Sequence, residues 1–160
     1  MRIERTVRVE IPVRRAFDYL ADFTTTTDWD PGTQSTIRWA GDGGVGTTYR
    51  NTSRFLGRET SLMYVVEELV TDERIRLRGE NTTVTATDTM TFRQSGSKTE
   101  VTYTAEFTFK GPSRLLAPLL KPAFTRLGNQ AESGLRSALM QLSVSPPPGW
   151  PPTPPPSATR

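Results

Sequence analysis

The pattern that most constrains this chain runs over residues 111–142. Leu116, Leu120, Ala123, Leu127, Ala131, Leu135, Ala138 and Leu142 recur every three or four residues, which places them on one stripe of an α-helix. Leu119, Phe124 and Leu139 widen the stripe, while Lys121, Asn129, Glu132, Arg136 and Gln141 fall away from it. At ~1.5 Å per residue, roughly thirty residues reach about 45 Å, enough to cross the face of a small domain. An apolar stripe of that length needs an apolar surface to lie on, and the preceding residues must supply it.

They do so by alternation. Ile3, Val7, Val9 and Ile11 share one face of a first strand with Arg5, opposite Glu4, Thr6, Arg8 and Glu10. Pro12 then opens a short helix, where its missing N–H costs little, and Val13, Ala16, Phe17 and Leu20 form its apolar side. A second helical turn or loop over 24–31 carries Trp29 between Asp28 and Asp30, with Trp29 read as an anchor for that turn rather than a lid. Six further strands are predicted over 34–40, 46–55, 58–70, 74–81, 84–94 and 99–110, separated by turn residues that make neighbours antiparallel.

Treating the later connections as two-residue hairpins sets a register. Tyr49 faces Tyr64, Asn51 faces Leu62, Val70 faces Ile75, Ile75 faces Met90, and Met90 faces Tyr103. Gly79 lies beside Ala86, and Ala86 beside Phe107. The same parity brings Asp88 to the inner face between Leu77 and Ala105, with Glu68 continuing its row.

The chain contains no cysteine and no histidine. Disulfides, thiol catalysis, thiolate zinc sites and histidine-based acid–base or metal chemistry are therefore excluded, so neither a metal nor a cofactor is expected. The formal charge of +3 is dispersed. Arg74, Arg76 and Arg78 alternate along a strand as a solvated face does, and no basic run is interleaved with aromatics, so nucleic acid is not an expected partner. Without a leader pattern or a run of membrane-spanning length, the expectation is a cytoplasmic protein that does not insert into membranes.

Composition changes beyond Leu142. Residues 143–160 hold eight of the thirteen prolines and one aromatic, Trp150, which reads as a disordered, polyproline-rich tail following a domain over 1–142.

The order of elements, with Val9-Glu10-Ile11-Pro12-Val13, Ala16-Phe17-Asp18-Tyr19-Leu20, Asp28-Trp29-Asp30-Pro31-Gly32, the glycine-rich turn at 41–46, Val65-Val66-Glu67-Glu68-Leu69, the hairpin-linked stretches 88–92 and 100–110, and Gly111 entering the helix, resembles the polyketide cyclase/dehydrase and lipid-transport proteins of the START-like (SRPBCC, Bet v 1-like) superfamily. That resemblance implies an α+β helix-grip fold. A seven-stranded curved antiparallel sheet would wrap around the long C-terminal helix, with two short helices after the first strand. It also implies an apolar cavity between sheet and helix that relatives use for hydrophobic small molecules.

On that fold the inward rows and the helix stripe would line the cavity: Tyr49, Asn51, Leu62, Tyr64, Leu77, Asp88, Met90, Tyr103, Phe107, Leu120, Phe124 and Leu127. Asp88 breaks an otherwise apolar pattern. Desolvation would raise its pKa and suit it to acid–base work with Tyr103 or Tyr64, and Glu68 is the expected second carboxylate unless a bulge turns it outward. Pro122 has no N–H for the carbonyl of Pro118 and crowds it, so a bend is expected there, making 113–122 a separate segment over the entrance.

Two functions of different class follow: a carrier or sensor of a hydrophobic small molecule such as a lipid or polyketide-like compound, and a cyclase- or dehydratase-like enzyme built on Asp88, Tyr103 and Tyr64. The first is favoured by the lack of histidine, cysteine and any metal constellation. A protein partner recruited by the proline-rich tail is a third reading.

Overall fold

The computed structural model describes residues 1–144. In chain order it contains β1 (Arg2–Val9), α1 (Val13–Ala21), a 3-10 turn (Phe23–Thr25), α2 (Thr26–Trp29), β2 (Thr33–Ala40), β3 (Thr48–Phe55), β4 (Arg58–Val70), β5 (Arg74–Glu80), β6 (Val84–Ser95), β7 (Lys98–Phe109), a 3-10 segment (Gly111–Leu120) and α3 (Lys121–Val144). The strands form one antiparallel sheet in the order β1-β7-β6-β5-β4-β3-β2. This is the helix-grip arrangement that the family resemblance implied. The proline-rich stretch beyond Val144 lies outside the described residues.

Alternation sets the faces. Val7, Val9, Tyr49, Leu62, Tyr64, Ile75, Leu77, Met90, Phe92 and Val101 point inward and are buried. The predicted pairs Tyr49–Tyr64, Asn51–Leu62, Ile75–Met90, Met90–Tyr103, Gly79–Ala86 and Ala86–Phe107 are all directly opposed. Asp88 lies between Leu77 and Ala105.

One pairing differs. Val70 faces Arg74, and Leu69 faces Ile75, because the β4–β5 turn has three residues rather than two. Asp72 occupies its left-handed position at φ 62, a conformation aspartate tolerates better than most residues, and the Glu73 N–H closes the turn on the Val70 carbonyl at 3.0 Å. The extra residue is absorbed at Glu67, where the register shifts between Val66 and Glu68. Beyond that bulge, Tyr64 faces Gly79. Glu68 is consequently turned to the outer face, where it pairs with Arg74 at 3.2 Å. It is not the second inward carboxylate. Glu67 accepts from Arg76 and Arg78 on the same face at 3.2 and 3.0 Å.

The C-terminal rod is also not one helix. Residues 111–120 wind as a 3-10 segment, and α-helix begins only at Lys121. Because Pro122 has no N–H, the Pro118 carbonyl takes the N–H of Lys121 instead, one residue nearer, and the tighter winding results. Leu119, expected on the inward stripe, is 76% exposed. From Phe124 onward the stripe behaves as predicted: Phe124, Ala131, Leu135, Ala138 and Leu139 are buried.

Two apolar clusters flank the space under α3. The larger joins α1, through Phe17 and Leu20, to the inner faces of most strands and to Leu135 and Leu139. The smaller gathers Ile3, Ala105 and Phe124 with Phe55, Phe107, Phe109, Leu120 and Leu127. Helix α3 seats closely where its glycines fall. A Cβ at Gly134 would meet the Trp29 carbonyl oxygen, and one at Gly128 would meet the Ile3 side chain. Arg5, inward on β1, reaches α3 and donates to Asn129 Oδ1 at 2.7 Å, with Glu132 at 3.6 Å.

Candidate functional site

Between the clusters lies a cavity of about 670 Å³, within the range of small-molecule sites. Small side chains on the facing elements leave the space open: Gly32, Ala105, Gly128 and Ala131 all border it. Its predominantly apolar wall includes Ile3, Leu62, Val84, Leu120 and Leu127. Phe124 packs on Phe55 and Phe107, with ring centroids 4.7 Å apart in each case, and closes the wall at the start of α3.

Asp88 is the polar centre. It is 5% exposed, and Tyr103 donates its hydroxyl to Oδ1 at 2.8 Å. Tyr103 stands opposite Met90, two residues along β6, so the ring reaches diagonally across the pleat. Tyr64 borders the same cavity, and its hydroxyl also acts on the Asp88 carboxyl. Tyr64 can lie flat because its partner is Gly79: a Cβ there would sit 2.6 Å from the ring. Each tyrosine is braced by the segment after α1. Phe23 tilts against Tyr64 at 4.9 Å, and Trp29 meets Tyr103 edge-on at 5.4 Å. Trp29, 3% exposed, thus anchors α2 while also bordering the cavity.

Burial pushes the Asp88 carboxyl up to about 6; the hydroxyls of Tyr103 and Tyr64 pull against that rise, and the negative charge of Asp30 adds to it. Both tyrosine hydroxyls are held well above their usual range, by burial first and by Asp88 next, and stay protonated donors.

Asp30 is a second carboxylate bordering the cavity, and Glu59, exposed on the β3–β4 hairpin, is a third. Asp30 accepts from the Thr33 hydroxyl at 2.8 Å and the Gly32 N–H at 3.1 Å. Burial raises its pKa against those two hydrogen bonds. Sequence periodicity could not find it, because it sits in an irregular connection. Its signal was the Asp-Pro-Gly triplet following Trp29, a turn signature that fixes backbone more readily than it reveals a side chain's direction.

Of the residues expected to line the cavity, Asn51, Leu62, Tyr64, Asp88, Tyr103, Phe107, Leu120, Phe124 and Leu127 do border it. Tyr49, Leu77 and Met90 do not; they belong to the larger core cluster, where Phe23 packs on Tyr49 and the space is filled. Asn51 is largely satisfied by its neighbours, donating to Thr36 and Thr33 and accepting from Ser53. Ser53 and Ala105, on inward rows by the same parity, border it too, while Phe23, Thr26 and Phe55 complete parts of the wall that strand parity did not single out. No helix among the described residues is long and apolar enough to cross a membrane.

Residues 1–139 match the family described as polyketide cyclase / dehydrase and lipid transport. No curated protein matches in sequence. Among solved structures, TTHA0849 from Thermus thermophilus superposes with a TM-score of 0.74 at 18% identity, over 89% of this chain and 99% of its own. The Zhui aromatase/cyclase from Streptomyces sp. R1128 gives 0.75 at 14% identity, over 89% and 95%. A START superfamily protein from Mycobacterium smegmatis gives 0.73 at 14% identity, over 88% and 98%. At these identities the likeness speaks to fold.

Proposed function

We propose that this chain, which belongs to the polyketide cyclase / dehydrase and lipid transport family, binds a hydrophobic small molecule in the cavity beneath α3 and acts as its carrier or sensor. The observation that supports this reading is the cavity itself, about 670 Å³ of space with a mainly apolar wall. Burying apolar ligand surface there at ~25 cal/mol per Å² supplies the driving force, and Asp88 with its two tyrosines orients the polar end of the guest. The test is native mass spectrometry of protein purified from its own source. A co-purified small molecule, released on unfolding, is the expected result; an empty protein that also takes up no apolar probe overturns the reading.

A second reading keeps the same cavity and adds chemistry. The Tyr103–Asp88 hydrogen bond at 2.8 Å couples an acid–base group to a proton donor facing the void, the arrangement a cyclase- or dehydratase-like enzyme on a polyketide-like substrate would use. Turnover of such a substrate, abolished in Asp88→Asn, would place the chain among the enzymes. Recruitment of a protein partner by the proline-rich tail is tested by a pull-down that is lost on removing 143–160.

A further inference from the structure

The cavity wall is electrically unbalanced. Asp30 and Asp88 both border the space, and neither has a basic partner there. Among the described residues, the cations bordering the cavity are Arg54 and Arg58, both exposed on the β3–β4 hairpin beside exposed Glu59. Arg5, the basic residue on the inner face of β1, is engaged with Asn129 and Glu132 under α3 and lies outside the wall. The groups acting on Asp88 are two neutral hydroxyls and a second carboxylate. Around this acidic end stand the rings of Phe23, Trp29, Tyr64 and Tyr103.

That combination discriminates between guests of equal size. An apolar carboxylic acid would bring a further negative charge into a desolvated space already holding two carboxyls, which is strongly disfavoured. An alcohol can donate one hydrogen bond but leaves the charge uncompensated. A protonated amine donates several, supplies the missing cation, and is further held by aromatic faces. The net charge of +3 favours anions at long range, so any preference for cations must arise inside the cavity.

We propose that the cavity selects its ligand by charge, taking an apolar amine in its protonated form with the ammonium directed at Asp30 and Asp88, and refusing the corresponding carboxylic acid. This rests on the reading of the cavity as the ligand site.

The test is isothermal titration calorimetry of the full chain at pH 7.5 with three probes sharing one ring system: 2-(2-naphthyl)ethylamine, 2-(2-naphthyl)ethanol and 2-naphthylacetate. The amine is expected to bind at least tenfold more tightly than the alcohol, with the naphthylacetate binding more weakly than either. In Asp30→Asn/Asp88→Asn the amine-to-alcohol ratio should fall to near one. Because that ratio is read within one protein, a general loss of affinity does not mimic it, and circular dichroism confirms the variant is folded. Equal binding of all three probes overturns charge selection and leaves the apolar cavity reading intact. Naphthylacetate binding as tightly as the amine, or an amine preference that survives the double substitution, also overturns it. Should none of the three bind, both readings fall together.

Discussion

At the scale of single residues, Asp88 makes stability depend on pH in a calculable direction. Its carboxyl rises from about 3.8 in the unfolded chain to about 6 in the folded one, so the native state holds the proton more tightly. Stability from this group is complete below the unfolded value and is lost as pH rises through the folded value. About two pKa units correspond to roughly 3 kcal/mol lost between about pH 4 and pH 6. Asp88→Asn removes this dependence. Urea titrations should find the variant more stable than wild type at pH 8, with the difference shrinking towards pH 4; a gap independent of pH would contradict the account.

Gly134 offers a second test of the same kind. In an isolated helix, alanine would be better than glycine by ~1 kcal/mol. Here the added Cβ would sit 2.1 Å from the Trp29 carbonyl oxygen, a backbone atom that cannot move without displacing α2. Gly134→Ala should therefore destabilise by roughly 1–3 kcal/mol. Gly128→Ala meets side chains alone, Ile3 at 2.6 Å and the Arg5 guanidinium at 3.3 Å, and should cost less. Thermal denaturation of the pair gives the order directly.

At the scale of elements, two local irregularities shape the site. The three-residue β4–β5 turn and the bulge at Glu67 together leave Tyr64 opposite Gly79 and turn Glu68 out to Arg74. The inward row therefore carries one strand carboxylate, and the other comes from the connection after α2. The second irregularity is the 3-10 segment Gly111–Leu120, which prolines at 112, 118 and 122 keep from the α-helical pattern. Leu115 and Leu119, 82% and 76% exposed, are the consequence. Restoring donors in Pro118→Ala/Pro122→Ala should let α3 extend towards its N-terminal side. The expected readout is stronger far-UV helical ellipticity and slower amide exchange at 119–121, the amides both proteins share; unchanged exchange there would mean the prolines do not dictate the winding.

At the scale of the molecule, the cavity exists because α3 spans the sheet where facing side chains are small. Ala105 and Ala131 each border the void and are buried. Ala105→Leu places a branched side chain into open space rather than into a packed core. The added apolar burial offsets strain, so thermal stability should stay within about 1 kcal/mol of wild type. Uptake of an apolar probe should fall at least tenfold. Retained uptake would put the guest elsewhere.

How much of this was legible beforehand follows from the range of the forces involved. Strand alternation and helix periodicity arise from the geometry of neighbouring residues, so the seven strands, the buried stripe of α3 and the inward direction of Asp88 could be read directly from residue order. The turn length at Thr71–Glu73, the bulge that reverses Glu68, and the arrival of Asp30 in the same cavity as Asp88 depend on which distant surfaces must meet. The size of the void has the same origin, because it is the volume remaining after α3 settles against Trp29 and Ile3 at Gly134 and Gly128. Local chemistry specified the elements and their faces; long-range packing determined how closely those faces approach and which charges share the space between them.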